Sequence, residues 1–289
     1  MKYLAPAKIN LGLYLTDKRP NGYHELASIF LPIGLYDELD ITPCKNTNDL
    51  DVITSGPFAF NVEKTKNTVY KAYVAIKEHC KLDYGFKVEI KKNIPFQAGL
   101  GGGSSDAASF ILACNELLSL KLDQKEMEQI GLGVGADVPF FLKKKPCYVE
   151  GIGEILSPFD VFKDYWVVVA KPLAGLDTGK VYSNITLNLT LKSLNAKRKE
   201  HLRSLTFQGL KDAGELVGLS NDLEGPSIRM VPQILEVKHF LNKASPLVCM
   251  MSGSGSAVFA LFDRDPSKTY EAVPEEWFFC TTKVLRGSV

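Results

Sequence analysis

The chain has 289 residues, of which 45% are hydrophobic and 23% are charged, and its formal net charge is +1. This length and composition predict a globular protein with a sizeable core, made of one large or two ordinary domains. Since the charge is near zero and no apolar run suits a membrane span or a signal peptide, we expect small-molecule partners rather than nucleic acid or a membrane.

The first predicted element is a strand over residues 7–15, where apolar and polar residues alternate strictly. Its apolar face would carry Ala7, Ile9, Leu11, Leu13 and Leu15. Lys8 and Asn10 would lie side by side on the polar face. A lysine on a strand is usually a solvated charge at a sheet edge, but the neighbouring amide favours a face that meets a ligand.

The segment that follows combines turn signals with two rings. Pro20 and the Asn-Gly pair after it predict a turn, which places Tyr23 and His24 just beyond it. The two side chains could stack on a planar ligand or form hydrogen bonds with it. Taken alone, the pair could equally be ordinary surface packing.

The remaining elements follow from periodicity, caps and turn residues. Strands are expected over 27–35, 37–41, 85–91, 147–155, 165–170 and 277–285, and two more around a second glycine turn within 248–262. Helices are expected over 67–79, 125–132 and 226–243, with short helices within 198–219. Asn67 or Thr68 would cap the first helix. The segment from Ser157 to Asp160 indicates the domain boundary, which divides the chain into 1–156 and 157–289.

A glycine-rich loop joins the strand at 85–91 to a helix, in the sequence PFQAGLGGGSSDAAS of residues 95–109. Four glycines within 99–103 allow positive φ and close backbone approach, so several N–H groups and the positive helix end could converge on one anion. Phosphate is the ligand that fits best. Ser104 or Ser105 would cap the helix.

Two other glycine loops do not match these residues. A P-loop closes with Lys-Ser/Thr, whereas this run closes with Ser104 and Ser105. A dinucleotide fingerprint needs a third glycine where Ser104 lies, and an acidic residue about 20 positions later at a strand end. A structural glycine turn without a ligand remains an alternative.

Asp137 stands among small and apolar residues, in the segment GVGADVPFF of 133–141. Burying an unpaired carboxylate costs free energy, so this side chain should have a partner. It is either a turn cap or a base paired with a cation. Lys8 is the cation that we expect.

The six cysteines, at positions 44, 80, 114, 147, 249 and 280, form no C-x-x-C pair, and the four histidines have no metal spacing. This pattern favours neither a zinc site nor a disulfide framework. Reduced structural thiols are typical of the cytoplasm, which is the expected compartment.

Together these segments resemble the GHMP kinase superfamily from one end of the chain to the other. The matching segments are PAKINLGLYL (6–15), NGYHEL (21–26), IPFQAGLGGGSSDAA (94–108), GADVPFF (135–141), GIGE (151–154), NDLE (221–224) and SGSGSAVFALF (252–262). The first and third are shared by several members. The Gly-Tyr-His and Gly-Ala-Asp-Val-Pro segments are much more specific, and resemble members that act on a diphosphocytidyl alcohol. Ser254 departs from the family, which more often has threonine there.

The resemblance implies an α/β fold of two domains, the first like ribosomal protein S5 domain 2 and the second ferredoxin-like, with the site in the cleft between them. It implies transfer of the ATP γ-phosphoryl group to an alcohol, in isoprenoid precursor biosynthesis. Mg²⁺ is expected because ATP chemistry uses it to bridge phosphates. The expected assembly is a monomer or a homodimer.

The resemblance also implies roles for individual residues. Asp137 matches the catalytic base and Lys8 its partner. The positions that match ATP contacts are Asn67, Lys92, Pro95, Gly99, Leu100, Gly101, Gly102, Gly103, Ser104 and Ser105. The positions that match substrate contacts are Asn10, Tyr23, His24, Asp137, Thr178 and Tyr182. Ser105 and Asp106 are candidate neighbours of Mg²⁺, since a carboxylate beside phosphates would repel them unless a cation lay between.

Three rival functions remain open. A kinase of mevalonate, phosphomevalonate or homoserine would share the superfamily segments, but its substrate carries no base to stack on Tyr23 and His24. A non-catalytic nucleotide-binding module would not need both Lys8 and Asp137. A nicotinamide-binding oxidoreductase is disfavoured because the fingerprint does not match.

Overall fold

The computed structural model describes residues 1–45, 47–185 and 192–287, which form two β-sheets with helices packed on them. The strands are β1 (Lys2–Lys18), β2 (His24–Cys44), β3 (Leu50–Ser55), β4 (Gly85–Lys91), β5 (Cys147–Gly151), β6 (Ile155–Pro158), β7 (Trp166–Lys171), β8 (Val248–Met251), β9 (Val258–Phe262) and β10 (Phe278–Lys283). The helices are α1 (Thr68–Cys80), α2 (Gly102–Leu117), α3 (Gln124–Val134), α4 (Val138–Lys143), α5 (Thr178–Ser183), α6 (Lys192–Phe207), α7 (Glu224–Met230) and α8 (Gln233–Asn242).

The first sheet is built on the long antiparallel pair of β1 and β2. The strand order is β3-β4-β2-β5-β6, with β1 also paired to β2 and with β3 parallel to β4. The strand predicted over 7–15 is confirmed and is longer than expected. The two strands predicted over 27–35 and 37–41 are in fact one strand, because β1 pairs with β2 through that whole region.

A bulge at Gly12 exchanges the two faces of β1. The register shifts between Leu11 and Leu13, and Gly12 has a φ of +75°. Leu11 therefore packs with Tyr14 in one core cluster, whereas Leu13 packs in the other. The predicted alternation is wrong beyond the bulge, and Leu13 comes to line the same cavity as Lys8 and Asn10.

The helices of the first half begin at backbone and side-chain caps. Asn67 caps α1 by accepting a hydrogen bond from the Val69 N–H at 2.9 Å, as predicted. The cap of α2 is Gly101, with a φ of +74° and no side-chain hydrogen bond. Ser104 and Ser105 lie inside the first turn of α2, so the prediction that either caps the helix is wrong.

The second sheet has the order β10-β7-β9-β8 and is antiparallel throughout. Its central strand β7 is almost fully buried, as its continuous apolar sequence predicts. The single helix expected over 226–243 is two helices, α7 and α8, separated at Val231 and Pro232. A proline disfavours helical geometry in the residue before it and cannot donate its own backbone hydrogen bond.

The two halves are in direct contact. Leu13 forms a parallel bridge with Asn221, and Ile33 forms an antiparallel bridge with Val284. Strand β6 belongs to the first sheet and crosses the predicted boundary at 156/157, ending at Pro158. Among the described residues, no helix is long and apolar enough to cross a membrane.

Candidate active site

One cavity of about 1030 Å³ contains most of the predicted site residues. The glycine loop and the Lys8–Asp137 pair line it. Tyr23, His24, Thr178 and Tyr182 also line it and are together called the aromatic end below. Its other lining residues include Phe60, Val62, Lys66, Asn67 and Phe96. This volume is at the upper limit of ordinary ligand pockets, so two ligands of nucleotide size could meet in it.

Lys8 and Asp137 form an ion pair in this cavity. The Lys8 Nζ lies 3.6 Å from Asp137 Oδ2. Asp137 occupies the N-cap position of α4, but its side chain makes no capping hydrogen bond. Of the two predicted roles for this carboxylate, the structure therefore shows the partner of a cation and not the turn cap.

The ammonium of Lys8 is almost completely enclosed. Lys8 is 4% exposed, and its Nζ lies 4.5 Å from the centre of the Phe30 ring. Burial lowers the pKa of Lys8 from its ordinary value, and the charge of Asp137 opposes this change. The lysine is thus held where its charge acts on Asp137 with little screening by water.

Asn10 fixes the direction of the Lys8 side chain. The Lys8 ammonium donates to Asn10 Oδ1 at 2.5 Å, and Asn10 Nδ2 donates to Ser28 Oγ at 3.3 Å. Ser28 in turn donates to the Gly12 carbonyl at 2.6 Å. Asn10 therefore lies in the predicted site, and its amide oxygen accepts a hydrogen bond from Lys8.

The glycine loop is packed against the second glycine turn. Ser252 Oγ donates to the Gly99 carbonyl at 3.0 Å, and the Ala257 N–H donates to the Ala98 carbonyl at 3.2 Å. Gly99 has a φ of +72°, and a Cβ there would lie 2.0 Å from the Ser252 carbonyl oxygen. Glycine is required at this position for both conformation and space.

The turn at 252–256 is itself held by Asn221. The Asn221 Nδ2 donates to the carbonyls of Met251 at 2.8 Å and Gly253 at 2.7 Å. Its Oδ1 accepts from the Leu223 N–H at 2.9 Å. The sequence segment NDLE contained this residue, but an asparagine in a loop gives no indication of which distant carbonyls it binds.

Lys92 lies between two buried carboxylates. Its ammonium forms ion pairs with Asp37 and, at 2.5 Å, with Asp106 Oδ2. Burial raises the pKa of Asp106 to about 7, against the opposing effect of Lys92. Since Lys92 and Asp106 both line the cavity, they lie near the loop, but the contact of Lys92 with ATP stays a prediction.

Two neighbouring residues near the start of α2 have unpaired polar atoms. Among the described residues, Ser105 Oγ and Asp106 Oδ1 are buried without a hydrogen-bond partner. Asp106 lines the cavity, whereas Ser105 is fully buried and does not line it. The oxygen of Asp106 is a hard donor of the kind that Mg²⁺ prefers, so it fits the predicted metal better than Ser105 does.

Two aromatic rings from different halves of the chain meet at one end of the cavity. His24 and Tyr182 are stacked, with ring centroids 5.5 Å apart and an angle of 28° between the planes. Burial lowers the pKa of His24 and raises that of Tyr182. Tyr23 is 60% exposed at the rim, and Thr178 Oγ1 lies 2.8 Å from Ser254 Oγ. Four of the predicted substrate residues, Tyr23, His24, Thr178 and Tyr182, therefore line the cavity together.

The cavity wall also contains an aromatic pair that sequence reasoning missed. The rings of Phe60 and Phe96 have centroids 4.1 Å apart, and Phe96 is 52% exposed although it lies in the cavity wall. An exposed aromatic face beside a phosphate loop suits stacking on a nucleotide base. The only signal was a phenylalanine just before the glycine loop, where a buried apolar residue would be equally common.

Comparison with known proteins assigns this fold and site to a class. The model of the GHMP kinases N terminal domain matches residues 67–145, and that of the GHMP kinases C terminal domain matches residues 200–278. The first match includes the glycine loop and Asp137. Fold and site together define a kinase of the GHMP class, so the chain uses ATP and a small-molecule acceptor.

Comparison with individual relatives identifies the family within the GHMP kinases to which the chain belongs. The 4-diphosphocytidyl-2-C-methyl-D-erythritol kinase of Syntrophus aciditrophicus is 36% identical over 290 positions, covering 98% of this chain and 99% of the relative. A crystal structure of 4-(cytidine 5'-diphospho)-2C-methyl-D-erythritol kinase superposes with a TM-score of 0.72 at 29% identity, covering 98% of this chain and 99% of that one. The homoserine kinase of Cytophaga hutchinsonii, at 17% identity and a TM-score of 0.78, covering 99% of this chain and 95% of that one, shares the fold. The chain belongs to the 4-diphosphocytidyl-2-C-methyl-D-erythritol kinase family of the GHMP kinases.

Proposed function

We propose that this chain transfers the γ-phosphoryl group of ATP to the C2 hydroxyl of 4-diphosphocytidyl-2-C-methyl-D-erythritol, giving the 2-phosphate and ADP, in non-mevalonate isoprenoid precursor biosynthesis. The observation that carries this proposal is the Lys8–Asp137 ion pair, which lies in the same cavity as the glycine loop and the aromatic end. The family assignment supports the same reaction.

Asp137 acts as the general base. The C2 hydroxyl is on a tertiary carbon, so it is a crowded and weak nucleophile, and removing its proton during attack lowers the barrier. Asp137 is partly exposed to the cavity, with 32% of its side chain accessible, so an acceptor alcohol can reach it. Lys8 holds the carboxylate in place, because the two groups form an ion pair at 3.6 Å.

The glycine loop binds the triphosphate. Gly101 and Gly102 line the cavity at the start of α2, where free backbone N–H groups and the helix dipole favour negative charge. The same donors compensate the charge that spreads over the phosphoryl oxygens in the transition state. Asn67 and Phe96 lie in the adjoining wall, where the adenine would be placed.

Mg²⁺ fits the site through Asp106, whose Oδ1 is buried and unpaired beside the loop. When bound, the ion would neutralise part of the charge of the phosphates. Lys92 forms ion pairs with both Asp106 and Asp37 and so balances part of their negative charge. The two carboxylates can therefore stay buried close together before the ion binds.

The cytidyl group binds at the aromatic end. His24, Tyr182 and the exposed Tyr23 present ring faces and hydrogen-bonding groups suited to a pyrimidine. The proposed assembly is a monomer or a homodimer. The cytoplasm is the proposed compartment, since the six cysteines are free thiols, the state that a reducing environment maintains.

A panel of alcohols tests the proposal. The chain is assayed for ADP release with ATP and Mg²⁺ and, in turn, 4-diphosphocytidyl-2-C-methyl-D-erythritol, mevalonate, phosphomevalonate and homoserine. We expect ADP release only with the cytidyl compound, with phosphate on its C2 oxygen by ³¹P NMR. Turnover of one of the other alcohols instead would reassign the substrate, and no ADP with any of them would favour a non-catalytic nucleotide-binding module.

A further inference from the structure

Lys171 is a buried lysine outside the cavity whose charge the proposed mechanism does not use. It is the last residue of β7 and is 7% exposed. In the part of the chain that the structure describes, no carboxylate forms an ion pair with it. Its ammonium donates instead to three successive carbonyls, those of Pro172 at 2.9 Å, Leu173 at 3.3 Å and Ala174 at 3.1 Å.

Three carbonyl oxygens that point at one place repel each other unless a cation lies between them. Lys171 supplies that cation from within the chain, in the way that a bound metal ion would. Burial lowers the pKa of Lys171, which shows that the interior disfavours its charge and that the carbonyls must compensate for it. The backbone from Pro172 to Ala174 is consequently curled around the ammonium.

The curled segment is fixed to the two glycine turns. Ser256 Oγ donates to the Ala174 carbonyl at 2.5 Å, the carbonyl that Lys171 also binds. Two residues later, the Leu176 N–H donates to the Gln97 carbonyl at 3.3 Å, just before the glycine loop. The position of Leu176 sets where helix α5 begins.

Helix α5 carries residues of the aromatic end. Asp177 caps it by accepting from the Lys180 N–H at 2.9 Å. Thr178 is its first residue and lies 2.8 Å from Ser254 Oγ, and Tyr182 stacks on His24. The path from Lys171 to Tyr182 therefore runs through a short loop and one helix of two turns.

We infer that Lys171 is a positioning residue for the cytidyl end of the substrate, because its ammonium fixes the 172–177 loop that places Thr178 and Tyr182. This inference rests on the proposed function for its kinetic test. Lys171 does not line the cavity, so its loss should affect the binding of one substrate and leave the chemical step intact.

Steady-state kinetics of Lys171→Met separate the two substrates. Methionine keeps the length of the side chain but removes the charge and all three donors. We expect the Michaelis constant for the cytidyl substrate to rise about tenfold, while kcat and the Michaelis constant for ATP stay within about twofold. Lys163→Met is the matched control, because Lys163 pairs with Asp263 on the surface of the same domain, and all its constants should be unchanged.

Two further variants exclude a merely structural effect. Lys171→Arg retains a cation with several donors and should stay within about threefold of the native Michaelis constant. In Lys171→Ala, propylammonium should restore cytidyl substrate binding, whereas tetramethylammonium, which has no N–H donor, should not. The inference would be overturned if Lys171→Met raised both Michaelis constants equally or changed neither. It would also be overturned if neither the arginine of Lys171→Arg nor propylammonium restored binding of the cytidyl substrate.

A direct measurement does not depend on activity. The chain has four histidines, so the ring signals of His24 can be assigned in a proton–carbon spectrum with a His24→Gln variant. Tyr182 stacks on His24, so the Tyr182 ring current shifts the His24 signals. This shift should be lost or altered in Lys171→Met but not in Lys163→Met. Unchanged His24 signals would overturn the inference. If the native chain does not phosphorylate the cytidyl compound, the proposed function fails, and these signals still decide whether Lys171 positions the loop.

Discussion

The Lys8 ammonium lies 3.6 Å from the Asp137 carboxylate, although the first residue comes from strand β1 and the second from the turn before α4. Each of the two groups finds its opposite charge outside its own element. Lys8 points inward from a strand that is buried on both faces, and Asp137 makes no capping hydrogen bond. Their pairing therefore depends on the whole first half of the chain folding around the glycine loop.

Burial of Lys8 predicts an alkaline limit to activity. The Lys8 ammonium holds the Asp137 carboxylate in place through their ion pair, and burial favours the neutral amine, so the pKa of Lys8 lies below its ordinary 10.5. As the pH rises, the lysine loses its proton earlier than an exposed lysine would. We expect kcat/KM, measured against pH, to fall with rising pH from a point below 10.5, while circular dichroism shows that the fold is intact. A flat profile up to that pH would show that the charge of Lys8 is not needed.

His24 should determine affinity for the cytidyl substrate alone. His24→Ala removes the ring that stacks on Tyr182 and leaves the phosphate loop untouched. We expect the Michaelis constant of the cytidyl compound to rise about 10- to 100-fold, with that of ATP nearly unchanged. Tyr23→Ala is the comparison, and since Tyr23 is 60% exposed its effect should be smaller. Equal effects on both substrates would contradict the assignment of the aromatic end.

Phe96 should have the opposite selectivity. Phe96→Ala removes the exposed ring beside Phe60 at the other end of the cavity. Loss of a stacking surface should raise the Michaelis constant for ATP about tenfold and leave that of the cytidyl compound unchanged. The two variants, assayed side by side, distinguish the ends. If Phe96→Ala weakened only the cytidyl compound, the proposed orientation of the two ligands would be reversed.

Gly99 should tolerate no side chain. Gly99→Ala places a methyl group 2.0 Å from the Ser252 carbonyl oxygen at a residue with a φ of +72°. We expect the free energy of unfolding in urea to fall by more than about 2 kcal/mol. The control is Gly133→Ala, in which the added methyl meets nothing within 4 Å. Since Gly133 lies in a helix, the free energy of unfolding of this variant should be unchanged or higher by about 0.5–1 kcal/mol. Equal stabilities of the two variants would contradict the role given to Gly99.

The charges that looked misplaced in the sequence were the most informative ones. Asp137 stood among small and apolar residues, Lys8 was expected on the polar face of a strand, and the structure pairs them. His24 was found from its position just beyond a turn and Tyr182 through the family resemblance, and their stacking joins the two halves. Such residues can be predicted because burying an unpaired charge costs free energy, so a charge in an apolar segment should have a partner. An aromatic side chain beside a turn is likewise placed where it can meet a ligand.

Other features required the folded chain. The bulge at Gly12 exchanges the two faces of β1 for the residues that follow it. Nothing in an alternating sequence pattern reveals where such an extra residue is inserted. The pairing of Lys92 with Asp37 and Asp106 depends on the register of β4 against β2 and on the start of α2. Ser104 was mistaken for a cap because Gly101, with positive φ, starts the helix earlier than a serine would.

Replacement of Asp137 by asparagine tests the central claim most directly. The variant keeps the shape of the side chain but cannot accept the proton of the acceptor alcohol. With the native chain active, we predict that kcat for ADP release falls by about 10²- to 10⁴-fold while ATP affinity, measured by calorimetry, is nearly unchanged. A variant that turns over at close to the native rate would contradict the assignment of Asp137 as the base.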